Sequence, residues 1–315
     1  MTFGAESAQV APCFRPMLPS VFATFLFSAS VLFASRSAKV LGPMQANLAR
    51  LVLAMILLGI WAHGFGGGWG GPALPWFLLS GVVGFGLGDM ALFGALPRIG
   101  PRLAILLTQC LGAPIAGVAE YFLLGTRISG LEAAFGVLIL AGVALALAPD
   151  TRQEVDPATF RVGVLFGIGS AMGQGLGAVV SRMANAVASL HGVSVDGGTA
   201  AYQRITAGVA LTVLFWLVLK RTGRIREDTR PLSEWKPAFW LVVGNALSGP
   251  SLGVASFQWA LSTSPSALVL PIVATSPLVT MTLAWWMEGT LPKRRAIFGG
   301  VLAVSGAAGL AWARS

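Results

Sequence analysis

Few residues in this chain could do chemistry, and they are widely spaced. Asp89 sits in GFGLGDMALFGALPRIGPR (84–102), among Gly, Leu, Met, Ala and Phe. A lone carboxylate in such surroundings can take up a proton, bind a cationic group or pair with a cation. Arg50 and Arg204 lie inside apolar runs of their own. They can hold an anionic group of a solute or bridge to Asp89. Uncharged polar residues form a third set: Gln109, Gln174, Gln203, Asn245, Gln258 and Thr275. Each can contact a solute or bond between helices. No catalytic constellation is present. His63 and His191 are isolated and lack metal-ligand spacing. Cys13 and Cys110 lie far from any His and Asp arrangement. Gly84-Phe-Gly86-Leu-Gly88 has no preceding strand, so it is not a dinucleotide motif. The chain is therefore expected not to be an enzyme, with no cofactor and no metal.

The elements that must position these residues follow from composition. Apolar residues make up 55% of the 315, charged residues only 10%, and mean hydropathy is +0.77. A soluble domain carries roughly 25% charge, so the chain is an integral membrane protein. Crossing a bilayer takes about 20 residues of helix. Ten runs qualify: Leu18–Ser35, Gln45–Ala62, Trp76–Leu96, Leu103–Leu124, Leu131–Ala148, Val162–Val180, Ala200–Leu219, Phe239–Ala260, Ala267–Met287 and Ala296–Trp312. The first 16 residues lack an apolar core, so no cleavable signal is expected. Asp89 then lies about 20 Å along its helix from Trp76. It either lines a path or pairs with Arg98 or Arg102. Arg50 and Arg204 either face a solute or snorkel to headgroups. Glu120 is expected to pair locally with Arg127. The loop HGFGGGWGGP (63–72) is expected to be a flexible connector. Gly84 and Gly88, and Gly169, Gly173 and Gly177, let helices approach closely. Pro114, Pro250, Pro271 and Pro277 can bend spans.

The two halves repeat. Trp76 and Trp240 are 164 residues apart, as are Phe93 and Phe257, Pro101 and Pro265, Gly125-Thr126 and Gly289-Thr290, Gly136 and Gly300, and Gly142 and Gly306. A unit with an odd number of spans must enter the membrane upside down the second time, a mark of secondary transporters. The expected fold is an all-α membrane protein of ten transmembrane helices in two inverted five-helix repeats, 18–148 and 162–312. Net charge is +9. The cations crowd between runs on one side: Arg36, Lys39, Arg98, Arg102, Arg152, Arg161, Lys220 to Lys236, and Lys293 to Arg295. The other side holds Arg15, Arg127, Arg182 and Arg314. Positive-inside bias places the first group in the cytoplasm and both termini outside. No basic patch interleaved with aromatics is present, so nucleic acid is not an expected partner.

This pattern resembles the EamA-type members of the drug/metabolite transporter superfamily. The residues that carry the likeness are Ser35-Arg36 and Ser181-Arg182, Arg50 and Arg204, Gly88-Asp89 with Arg98-Ile99-Gly100-Pro101-Arg102, Pro114 and Pro277, and the Gly136/Gly142 and Gly300/Gly306 pairs. It covers nearly the whole chain, from Leu18 to Trp312. The resemblance implies helices 3, 4, 8 and 9 around a central cavity, which favours Gln109, Asn245, Gln258 and Thr275. It also implies a secondary transporter working by alternating access on a small solute, in the cell membrane (a bacterial inner membrane), as monomer or homodimer with the lipid bilayer and protons as partners. A membrane enzyme acting on a lipid-linked substrate, or a structural or sensory membrane protein, are the alternatives. Two features depart from the family. A Gly-Glu pair is replaced by Gly125-Thr126 and, displaced by one residue, Glu288-Gly289. The family's termini are cytoplasmic, against the charge distribution here.

Overall fold

A computed structural model describes residues 17–41, 43–147, 156–222, 232–288 and 294–313. All regular structure there is helical. The first half comprises α1 (Leu18–Leu41), α2 (Pro43–Gly64), α3 (Leu74–Gly81), a π-helical stretch (Val82–Gly88), α4 (Asp89–Leu124) and α5 (Gly130–Leu147). The second comprises α6 (Pro157–Leu190), α7 (Gly197–Arg221), α8 (Leu232–Ala246), a second π-helical stretch (Leu247–Ser251), α9 (Leu252–Thr263), α10 (Ser266–Val273), α11 (Ser276–Glu288) and α12 (Arg294–Trp312). Among the described residues nine helical stretches are long and apolar enough to cross a membrane. Helix α12 adds another 19 residues. In hydrocarbon, helices satisfy every backbone polar group within one segment. The chain is a multi-pass, all-helical membrane protein.

Local signals set the helix ends. Ser129 and Glu132 form a capping box before α5, with Ser129 N donating to Glu132 Oε2 at 2.7 Å and Glu132 N to Ser129 Oγ at 3.2 Å. Asp156 and Asp196 cap α6 and α7 by accepting the backbone N–H of Thr159 and Thr199. Gly125 ends α4 with φ of 65°, a conformation glycine adopts at little cost.

Helical backbone geometry runs from Asp89 to Leu124, interrupted in its hydrogen bonding at Pro97, Pro101 and Pro114, which lack an N–H, and the chain turns back on itself there. Gly88, Gly94 and Arg98 face Gly173, Phe166 and Gly163 of α6 in descending order. After Pro101 the order reverses: Leu107 faces Gly167 and Gly112 faces Gly175. Thus α6 lies antiparallel to one arm and parallel to the other. Glycines permit this. A Cβ on Gly173 would lie 2.4 Å from Gly88 Cα, and one on Gly177 would lie 3.1 Å from Gly84 Cα.

Helices α5 and α12 pack antiparallel, and the contact is reciprocal. Gly142 meets Ala303, and Gly306 meets Ile139. These are the same two repeat positions with roles exchanged. The π-helical stretches also fall at matching places, just before Asp89 and just before Gly253. In the second half the span from Ser266 is interrupted at Ala274-Thr275, between α10 and α11. Helix α1 bonds carbonyls around the break: Thr24 Oγ1 donates to Ile272 O at 3.2 Å and Ser28 Oγ to Ser276 O at 2.8 Å.

Three expectations need correction. Helix α6 runs to Leu190, so Arg182 is not in a loop but inside a helix. The segment 63–72 is not a free connector. Gln203 Nε2 donates to the carbonyls of Gly68 and Gly70, and Gly67 N donates to Thr199 Oγ1. A glycine-rich backbone leaves its carbonyls open, and a buried glutamine amide takes them up. Glu120 does not pair with Arg127, as described below. The side chain of Arg102, the Gly289 of the displaced pair and the basic loop 223–231 lie outside the described residues.

Candidate functional site

A cavity of about 210 Å³ opens where the π-helical stretch and α4 of the first half meet α6, α7, α9 and α10 of the second. Asp89, Arg204, Thr108, Ser170 and Gln174 supply its polar wall. Phe27, Phe85, Phe257, Leu92, Val254 and Val273 supply the apolar remainder. The wall draws on both repeats.

Each polar residue arrives there for a local reason. Asp89 follows the Val82–Gly88 π-helical stretch, whose extra residue per turn re-aims what comes next. Its carboxylate makes no hydrogen bond among the described residues. Arg50 and Arg204 are the cations that attract it electrostatically. Arg204 is 5% exposed, and its Nε has no partner among the described residues. Its guanidinium lies over the Phe85 ring, 5.4 Å from the centroid. Gly84 makes room for it, since a Cβ there would sit 3.1 Å from Nη2. Gln174 Nε2 donates to Gln109 Oε1 at 2.9 Å, which orients the Gln174 amide at the cavity wall.

The other expected residues lie elsewhere or have different partners. Arg50 donates from Nε to Asn47 Oδ1 at 2.8 Å, one turn back on α2, and is not part of the cavity wall. Asn245 accepts a hydrogen bond from Ser30 Oγ at 2.7 Å, joining α8 to α1. Thr275 returns its hydroxyl to Ile272 O at 2.6 Å, at the break between α10 and α11. Gln258 is 1% exposed, and neither polar atom of its amide has a partner among the described residues. Arg98 does not reach Asp89. It donates to Gly94 O at 2.6 Å and stacks on Phe166. Thr108 and Ser170 were not anticipated. Thr108 adjoins Gln109, but a hydroxyl in a helix usually bonds its own backbone, as Thr108 does to Ala104 O. That makes it uninformative in sequence.

A second polar cluster links the halves. Arg182 Nε lies 2.5 Å from Glu120 Oε1. Arg182 Nη1 donates to the carbonyls of Leu261 and Ser264 at 2.9 and 2.5 Å. Glu120 Oε2 accepts from Ser266 N at 2.7 Å and also from the Ser266 hydroxyl. The carboxylate thus caps the N-terminus of α10, where backbone N–H groups favour an anion. Nothing in the spacing of 120, 182 and 266 announces this. Glu120 and Ser266 are 146 residues apart.

The site can hold a small solute with polar groups against an apolar body. It has no cluster of His, Cys, Asp and Glu among the described residues that could hold a metal ion.

Among curated proteins none matches this sequence. One solved crystal structure superposes with a TM-score of 0.71 at 22% identity, over 94% of this chain and 96% of that chain. That likeness is one of fold. Residues 16–148 and 161–312 each match the sequence profile of the EamA-like transporter family. The two matches take in the segments that build the cavity wall, and the chain belongs to the EamA-like transporter family of the drug/metabolite transporter superfamily.

Proposed function

We propose that this protein is a secondary transporter that moves a small organic solute across the cell membrane, a bacterial inner membrane, by alternating access. Ten helices in two inverted repeats, 18–148 and 162–312, rock about the cavity at Asp89. Family membership supports a transporter. The reciprocal, antiparallel contact of Gly142 with Ala303 and Gly306 with Ile139 supports inversion. Two copies of one unit meeting through exchanged positions imply a two-fold axis. Antiparallel helices across such an axis support its lying in the membrane plane. The interrupted span at Ala274-Thr275 belongs to the same design, in which broken helices surround a midplane site.

One observation carries the reading: a carboxylate and a buried guanidinium whose Nε has no hydrogen-bond partner among the described residues share a cavity walled by both halves. Asp89 carries the coupling proton, because a carboxylate amid apolar side chains gains by exchanging its charge for a proton in one state. Arg204 and Gln174 contact the solute, Gln109 orients Gln174, and Arg50 supports the field at Asp89. Asn245, Gln258 and Thr275 belong to the helices that move. The protein works in the bilayer as a monomer or homodimer.

The test is uptake into proteoliposomes under an imposed pH gradient. Asp89→Asn is expected to abolish gradient-driven accumulation while inserting normally. Accumulation with unchanged pH dependence in that variant rules out the assignment.

A further inference from the structure

The cavity wall carries one cation and one anion, Arg204 and Asp89, and Arg50 acts on Asp89 from outside that wall. Arg50 has a local acceptor in Asn47. Arg204 Nε has none among the described residues, and the residue is 95% withdrawn from solvent. A buried charge without a hydrogen-bonded counter-ion is costly. Asp89 is near enough to be felt but forms no ion pair with it. The remaining space, about 210 Å³, adjoins both.

We propose that the cavity selects a small organic monoanion, with a carboxylate or sulfonate head on an apolar or aromatic body, and that Arg204 is its anchor. The inference rests on the same cavity that the transport reading uses. Planar guanidinium donors match a two-oxygen acid head better than any other cation does. When Asp89 holds the coupling proton, Arg204 remains as the charge on the cavity wall, which favours one negative charge on the ligand. Phe27 and Phe257 supply a surface for an apolar body. The Phe85 face is already covered by Arg204, so a competing organic cation would meet a like charge there. The space, about 210 Å³, suits a small solute. Gly84 adjoins this anchor: a Cβ there would stand 3.1 Å from Nη2 of Arg204.

Two probes of fixed charge and similar body test this: benzenesulfonate and benzyltrimethylammonium. Both are measured for binding to the detergent-purified protein by calorimetry and thermal shift, and for counterflow in proteoliposomes. Benzenesulfonate is expected to bind saturably and raise the melting temperature, and benzyltrimethylammonium to do neither. Arg204→Gln is expected to weaken sulfonate binding at least tenfold, which is 1.4 kcal/mol. Arg204→Lys keeps the charge, and with it the fold, and is expected to bind with intermediate affinity. Tighter binding of the ammonium probe, no binding of either probe, or sulfonate affinity unchanged in folded Arg204→Lys and Arg204→Gln would each overturn the proposal. Arg204-dependent sulfonate binding without counterflow supports the anion site and refutes transport. Counterflow of the ammonium probe alone supports transport and refutes the anion site.

Discussion

At the scale of single residues, the Glu120–Arg182–Ser266 cluster shows how much a charge depends on its partner. Glu120 is 1% exposed and its oxygens face Arg182 and the start of α10. Removing one partner of a buried pair costs about 3–5 kcal/mol because the other charge stays buried. Arg182→Ala is therefore expected to lower the melting temperature of the purified protein by many degrees. Arg182→Ala combined with Glu120→Gln is expected to recover part of that loss, since no bare charge remains. A double variant no more stable than Arg182→Ala would remove the pair from the account. Asp196, outside the spans, behaves differently. Partial burial works against its charge, but the Thr199 hydroxyl and N–H and the Trp61 indole N–H bond its carboxylate. The net effect holds its pKa below the ordinary value. The stabilisation from these bonds is present above the unfolded pKa of about 3.9 and is lost as pH falls through the lower folded value. Asp196→Ala is expected to cost about 1 kcal/mol at neutral pH, the usual effect of losing an N-cap. Melting curves should show the gap between wild type and variant closing in acid.

At the scale of elements, packing turns on where a glycine meets another backbone. Gly173 crosses Gly88 so closely that an added Cβ would strike its Cα at 2.4 Å. A backbone cannot give way as a side-chain tip can. Gly173→Ala is expected to cost 1–3 kcal/mol, of order the usual penalty for overpacking, and to depress transport by separating α6 from the arm that carries Asp89. Gly300 has nothing within 4 Å of where a Cβ would stand, so Gly300→Ala serves as the near-neutral control. Equal melting temperatures for the two variants would refute the close-approach argument. The matched glycine pairs divide in the same way. Gly142 and Gly306 sit in the α5–α12 contact, while Gly136 and Gly300 have room. The four look alike in sequence because composition does not say which face of a helix meets a neighbour.

At the scale of the whole molecule, inversion makes a topological prediction. The turn after α6 at Gly192 and the C-terminal end of α7 at Lys220 must lie on opposite sides of the membrane. Positive-inside bias puts Lys220 in the cytoplasm. In a background without Cys13 and Cys110, Ser189→Cys is expected to react with an impermeant thiol reagent on intact cells. Lys220→Cys is expected to react only after permeabilisation. Labelling of both from outside would overturn the orientation.

Composition and residue spacing alone carried the class, most of the apolar helices and the two-repeat arrangement. Those follow from runs of apolar side chains, which must be about 20 residues long to cross hydrocarbon, and from residues recurring at one offset. The sequence also singled out Asp89 and Arg204, because ionisable groups are conspicuous where nearly everything else is apolar. Which polar residues share a cavity emerged from packing between distant segments. Gln174 and Ser170 line the cavity that holds Asp89 while Asn245 turns to Ser30, although all lie in equally apolar runs. The reversal near Pro101, the π-helical stretch before Asp89 and the partnership of Glu120 with Arg182 were likewise hidden. Each depends on the rotation of one helix about its own axis against another, and that angle is set by contacts between segments far apart in the chain.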